Sequence, residues 1–241
     1  MKNDKGQKVT LAAPDGRKVQ VRLEINPRAK RVILRLDARC REGVAVAPAA
    51  RFLAEAQAFA AERAGWLADQ LDEVATGVPF TEGTQFPLRG APCRISSIGE
   101  GRLARLEEGS DPLTLRAPGA LETLSARVTR YLKKEARADL EAAVARHCET
   151  LSVRAARITV KDTRSRWGSC TSDGRLSFSW RLICAPPDVL DYVAAHECAH
   201  LIEMNHSRAF WALVETCRKD WKAQRAWLRT HGASLHAIGA D

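Results

Sequence analysis

His196-Glu197-Cys198-Ala199-His200 is the stretch on which the reading of this 241-residue chain turns. Residues 188–202 around it carry the apolar spacing of a helix. Pro187 stands at or just before the first turn, where its missing N–H costs nothing. Successive helical residues are turned by about 100°, so His196 and His200 project about 40° apart on one face, one turn apart. Two imidazoles so placed can reach one tetrahedral zinc ion. Glu197 falls roughly 80° from the mid-line between them. It stands beside such an ion rather than on it, within reach of a proton on a bound water. Cys198 falls about 180° away, towards the core, despite the affinity of thiolates for zinc. The bland alternative is a pair of solvated or core histidines on an amphipathic helix. Against it stand the well-formed helix and a third ligand close behind.

His206 is the favoured third ligand. Were the helix to continue, His206 would lie roughly 9 Å further along the axis and about 100° off the shared face. It joins only if the chain leaves the helix first. Met204-Asn205 is a suitable place, since Asn tolerates the left-handed conformation that ends helices. Glu215 on the following helix is the rival, completing a His-His-Glu set. Glu203, one turn beyond the histidines on their face, suits a supporting role. Three protein ligands leave a fourth position for water, the arrangement of a catalytic zinc, one ion per chain. The oxyanion formed on attack needs further donors, and Tyr192, Arg164 and Arg166 are the candidates. Tyr192 reads equally well as a core residue, and the arginines as solvated cations.

Working outward, 45% hydrophobic and 28% charged residues describe an ordinary globular chain, long enough to bury one large core or two small ones. No run of about 18 apolar residues is free of charges, so no membrane span is expected. The first residues lack the apolar core of a secretory signal, which makes the cytoplasm the default location. Seven scattered cysteines form no Cys-x-x-Cys pair and read as reduced, small buried residues. The net charge of +9 favours acidic partners in general.

Residues 1–118 read as a β-rich section with one helix, and 119–241 as the catalytic domain. Val19, Val21, Leu23 and Ile25 alternate with polar residues, as do Val32, Leu34 and Leu36, and Val44 with Val46. Residues 49–74 turn helical, and short strands follow near 85–88, 93–98, 103–106 and 113–115. Beyond Pro118-Gly119 a long helix spans 121–151, and a strand begins at Ile158. A hairpin then pairs 167–172 with 175–182 across Ser172-Asp173-Gly174. After the helix at 188–202, two more cover 207–217 and 220–230, with residues 234–241 loosely held. No internal repeat is visible.

Arg166-Trp167-Gly168-Ser169-Cys170, Ser179-Trp180-Arg181-Leu182, Ala185-Pro186-Pro187 and Asp191-Tyr192-Val193 precede the His-Glu-x-x-His run. Met204-Asn205-His206-Ser207 and Phe210-Trp211 follow it. Together they resemble the YgjP-like metal-dependent hydrolase (metallopeptidase) family, which is related to the SprT-like zinc peptidases of the zincin group. Arg28-Ala29-Lys30-Arg31 and Trp66-Leu67 resemble its front section, so the likeness runs from about residue 19 to 231. It implies an α+β, zincin-like fold with an active-site helix beneath a small antiparallel sheet. It also implies zinc on His196, His200 and His206, with Glu197 as base. The family pattern usually has a bulky apolar residue where this chain has Cys198, a side expected to face away from the metal.

Two functional readings follow. The first is a zinc peptidase acting on a protein or peptide, with a non-peptide amide or ester as its nearest variant. The second is a nucleic-acid-associated module, or a protease acting on DNA-bound protein. Its support is the basic segment 218–229, where Trp221 and Trp227 are interleaved with Arg218, Lys219, Lys222, Arg225 and Arg229. A terminal helix with both tryptophans in the core explains that segment equally simply, and is preferred.

Overall fold

The computed structural model describes residues 6–37, 40–73, 77–99, 101, 103–107, 109–163 and 166–240. The chain divides into two compact units, Met1–Thr76 and Gly77–Asp241, each with its own apolar core. In the first, β1 (Lys8–Ala12), β2 (Lys18–Ile25), β3 (Ile33–Asp37) and β4 (Glu42–Ala47) form a sheet of order β1-β2-β4-β3. β2 and β4 run parallel and the other pairs antiparallel. The alternation in β2 buries Val19, Val21 and Leu23 against Ala56, Ala60, Ala64 and Leu67. Those last four come from α1 (Leu53–Glu62) and α2 (Ala64–Glu73). The single helix expected over 49–74 is thus two, parted at Arg63, whose guanidinium lies 4.7 Å from the Phe59 ring. β1 escaped the sequence reading because only Leu11 of its five residues is buried, so its pattern is faint.

The second unit opens with β5 (Gln85–Leu88), β6 (Ala91–Ser96), β7 (Arg105–Glu107) and β8 (Leu113–Arg116), in order β5-β6-β8-β7 with β6 parallel to β8. This is the strand order and orientation of the first sheet over again. Each sheet is followed by a proline, Pro48 or Pro118, then a 3-10 turn and a helix. The sequence shows no repeat because topology needs only matching apolar patterns and turns, not matching residues. The two-residue turn between β5 and β6 places Arg89 and Gly90 at φ 50° and 78°, the twist that suits a tight hairpin. Arg89 accepts that conformation while its guanidinium is held by Asp139 at 2.8 Å and Glu135 at 2.9 Å.

Both carboxylates lie on α3 (Leu124–Thr150), whose 3.6-residue stripe buries Leu124, Val128, Leu132, Ala136, Leu140 and Val144. Phe86, Leu88, Ile95 and Leu115 from the preceding strands pack in the same core. That shared core is why the compact units part at 76/77, whereas the turn residues of the sequence suggest 118/119. Next come β9 (Arg157–Lys161), β10 (Gly168–Cys170) and β11 (Arg175–Ser179). Their sheet has the order β10-β11-β9 and is mixed, not wholly antiparallel as the family resemblance implied, because β9 pairs parallel to β11. β11 stops at Ser179, whose hydroxyl accepts from the backbone N–H of Arg181 and starts a buried 3-10 turn over Trp180–Cys184.

Three helices complete the unit: α4 (Pro187–Ala199), α5 (Arg208–Cys217) and α6 (Trp221–Ala237). α6 runs beyond the expected end near Thr230, and the tail is not loose. Leu235, Ile238 and Ala240 are buried, and Val78 bonds to Ala237 at 2.9 Å and to Gly239 at 2.8 Å. Apolar burial there overrides the usual fraying of a terminus. Among the described residues, no helix is long and apolar enough to cross a membrane.

Candidate active site

α4 is the central helix of its unit. Val189, Leu190, Tyr192, Val193, Ala194, Ala195, Glu197, Cys198 and Ala199 are all buried, leaving almost no solvent face. Pro187 occupies its first turn. Asp191 ties it to its neighbours, 3.0 Å from His147 and 2.9 Å from Arg146 on α3, and 2.5 Å from Arg218 just after α5. Burial acts to raise the Asp191 carboxyl pKa, but His147, Arg218 and Arg146 outweigh it and hold the group well below the usual carboxylate range. Cys198 faces α3, with its Sγ 3.9 Å from Cys148 Sγ and from the Val144 carbonyl.

The chain brings His196, His200 and His206 together. One nitrogen of each lies within 4.8 Å of the others, and the ring centroids are 4.9, 5.0 and 4.8 Å apart. His200 Nδ1 lies 3.0 Å from the Glu203 carbonyl, which orients the ring and leaves Nε2 for other use. His206 Nε2 is 3.1 Å from His196 Nε2. Two ring nitrogens of a tetrahedral zinc site sit about 3.3 Å apart, given bonds of about 2.0–2.1 Å. The donor set therefore fits a small divalent cation. Burial, with His200, His206 and Arg225 nearby, pushes the His196 imidazole down to about 3, so it stays neutral and able to ligate at neutral pH. Burial also lowers the pKa of His200, against the Glu203 carbonyl.

His206 reaches the group because the helix ends early. α4 stops at Ala199, and bonds from Leu201 to Cys198 and from Ile202 to Ala199 tighten the exit into a 3-10 turn. The turn, and not a left-handed Asn205, carries the chain out; Asn205 is not among the residues of positive φ. Glu203 Oε1 accepts from the Asn205 N–H at 3.1 Å, so its carboxylate caps this turn. Ser207 then caps α5, its hydroxyl accepting from the Phe210 N–H at 3.2 Å, and fixes His206 one residue ahead of the helix. Glu215, the alternative third ligand, is exposed on α5 and lies outside the histidine group.

Glu197 is 5% exposed and shares a cleft of about 250 Å³ with Arg166, Trp167, Gly168, Tyr192, Val193, His196 and Leu228. Burial pushes its carboxyl up to about 8, with Arg166 pulling the other way. Tyr192 is buried, its ring 6.0 Å from that of His196, and burial pushes its phenol up to about 12. Arg166 is exposed on the rim, and Arg164 lies outside the described residues.

Three contributors carried no role in the sequence reading. A Cβ on Gly168 would stand 2.6 Å from Glu197 Cγ and 2.7 Å from Cδ, so the bare backbone of β10 is what makes room for the carboxylate. Phe210 packs against all three imidazoles at 4.4–4.8 Å between centroids. Trp211 lies 5.8 Å from His196 and from His206. The signal for Phe210 and Trp211 was their place one turn after His206; Gly168 stood in the Arg166–Cys170 motif, but its contact with Glu197, distant in sequence, could not be read from it. Trp221 is buried and stacked on Trp211 at 4.3 Å, and Trp227 is stacked on His231 at 4.4 Å.

Among curated proteins none matches the chain. The crystal structure of the metallopeptidase zymogen abylysin from Pyrococcus abyssi is similar over 38% of this chain and 92% of its own, at 18% identity and a TM-score of 0.35, a likeness too slight to bear on function. The profile of the YgjP-like metallopeptidase domain matches residues 30–231, which is most of the sequence and includes every histidine of the cluster and Glu197. The chain belongs to the YgjP-like metallopeptidase family.

Proposed function

We propose that this metal-dependent peptidase uses one zinc ion per chain, held by His196, His200 and His206, with Glu197 as its general base, in a zincin-like arrangement. The observation that carries the reading is the convergence of three imidazoles, one of which, His196, lines a cleft together with the buried Glu197 carboxylate. Zinc bound there supplies Lewis acidity, polarising a carbonyl and acidifying water. Glu197 takes the proton of the attacking water and delivers it to the leaving nitrogen. A divalent cation beside it favours its ionised form, against the burial that raises its pKa. Tyr192 keeps its hydroxyl proton at neutral pH and is suited to donate to the developing oxyanion, with Arg166 adding positive charge from the rim. Phe210 and Trp211 wall the imidazoles and limit water around them.

All of these residues lie between 166 and 211, inside the second compact unit. Two variants test the reading. Glu197→Gln should retain about one zinc per chain and lose cleavage of a mixed peptide library by at least about 100-fold, the usual weight of a general base. His196→Ala should lose the metal. Stoichiometric zinc in His196→Ala, or unchanged turnover in Glu197→Gln, would place the chemistry elsewhere.

A further inference from the structure

α6 contains Lys222, Arg225 and Arg229 and no acidic residue. The three cations fall within about 60° of one another on the helix, so they form one basic stripe. Arg225, exposed, is the member that reaches the aromatic wall of the histidine cluster. Its guanidinium lies 5.0 Å from the centre of the Trp211 ring, which also neighbours Trp221 at 4.3 Å, Phe210 at 5.0 Å, and His196 and His206 at 5.8 Å. Its charge is felt by both Tyr192 and His196. Arg17, Arg22, Arg89, Arg116, Arg181 and Arg218 are each paired with carboxylates. Among the described residues Arg225 has no carboxylate partner, and the aromatic stack alone positions it. A guanidinium held in place with its N–H donors open is pre-organised for a planar anion.

We infer that Arg225 is a substrate-binding residue at the edge of the site, outside the cleft's own lining, that pairs with a carboxylate of the bound peptide, so that the enzyme prefers acidic substrates. This rests on the peptidase reading of the site. Lys222 and Arg229 extend the attraction along α6 and draw acidic chains towards the cleft. Nucleic acid fits less well, because the aromatic faces near the site are engaged within the protein. Trp211 is stacked on Trp221 and touched by Arg225, Trp167 is stacked on His236 at 4.1 Å, and Trp227 on His231. A cleft of about 250 Å³ suits a side chain better than a run of nucleotides.

The carboxylate can come from an Asp or Glu side chain or from the end of the peptide, and the experiment separates these sources. Zinc-loaded Glu197→Gln protein, which binds without turning over, is titrated with four fluorescent peptides. One carries an internal Glu and an amidated end, one the matching Gln, one Gln with a free C-terminal carboxylate, and one Lys. A carboxylate peptide should bind about tenfold or more tightly than the amidated Gln peptide, and less so as salt rises. Adding Arg225→Gln should remove that preference, and Arg225→Glu should turn it towards the Lys peptide. Equal affinities, no binding, a preference that survives Arg225→Gln, or displacement of the peptide by a short single-stranded oligonucleotide would each overturn the inference. Cleavage by the unmutated protein is followed in parallel: turnover without carboxylate preference removes the subsite alone, and carboxylate-selective binding without turnover removes the peptidase reading alone.

Discussion

Gly168 has no side chain to give up, yet the site depends on it. The carboxylate of Glu197 occupies the space a methyl group would need, and the surroundings on α4 are fully buried. Gly168→Ala should leave zinc bound and lower kcat by about 100-fold, the effect of displacing a catalytic group by about an ångström. Metal analysis beside steady-state kinetics checks this; full activity would mean Glu197 can shift without cost. The different directions of His196, Glu197 and Cys198, towards the histidine cluster, the cleft and α3, were readable from the 100° step of a helix alone. Gly168 was not, because its contact with Glu197 bridges two elements far apart in sequence.

Asp191 shows what holds the elements in register around the site. It joins α4 to α3 through His147 and Arg146 and to the end of α5 through Arg218. Its carboxyl titrates lower in the folded protein than the unfolded value of about 3.9. The stabilisation is therefore complete above that value and fades as the pH falls through the folded-state titration. Asp191→Asn should cost stability at pH 7, near the low end of the about 3–5 kcal/mol typical of a broken buried pair. The gap to the parent should narrow below about pH 4. Urea unfolding of both proteins in chelator, at pH 7 and at pH 3, measures it; a gap that stays constant would assign the effect to packing. At this scale α3 and α4 were legible, since their stripes and Pro187 follow local rules. The break at Arg63 and the end of the strand at Ser179 were not, although their contacts with Phe59 and the Arg181 N–H are local, because such capping and stacking leave no mark on the apolar pattern. The full length of α6 was not, because it depends on tertiary burial of Leu235 and Ile238.

The whole chain folds as two units, and the histidine cluster belongs to the second. Calorimetry should resolve two transitions, and chelation should lower only the one from 77–241. A ligand at about 1,000 times its Kd adds about 4 kcal/mol, on the order of 10 °C for a unit of this size. Equal shifts of both transitions, or of neither, would contradict a metal centre confined to that unit. The repeated strand order, β1-β2-β4-β3 and β5-β6-β8-β7, also exists only at this scale.

The sequence by itself determined the helix that carries the His-Glu-x-x-His run, the separate directions in which its residues project, and the family. Each of these rests on local periodicity or on a contiguous motif, which need no knowledge of distant contacts. It also showed that His206 could join only if the helix ended. Tertiary structure decided where that happens: a 3-10 turn through His200 straight after Ala199, with Glu203 capping its exit and Ser207 starting α5 just beyond His206. It decided as well which residues surround the cluster. Gly168, Phe210 and Arg225 come from three separate elements, and their meeting is set by how apolar faces pack, a property no single segment carries.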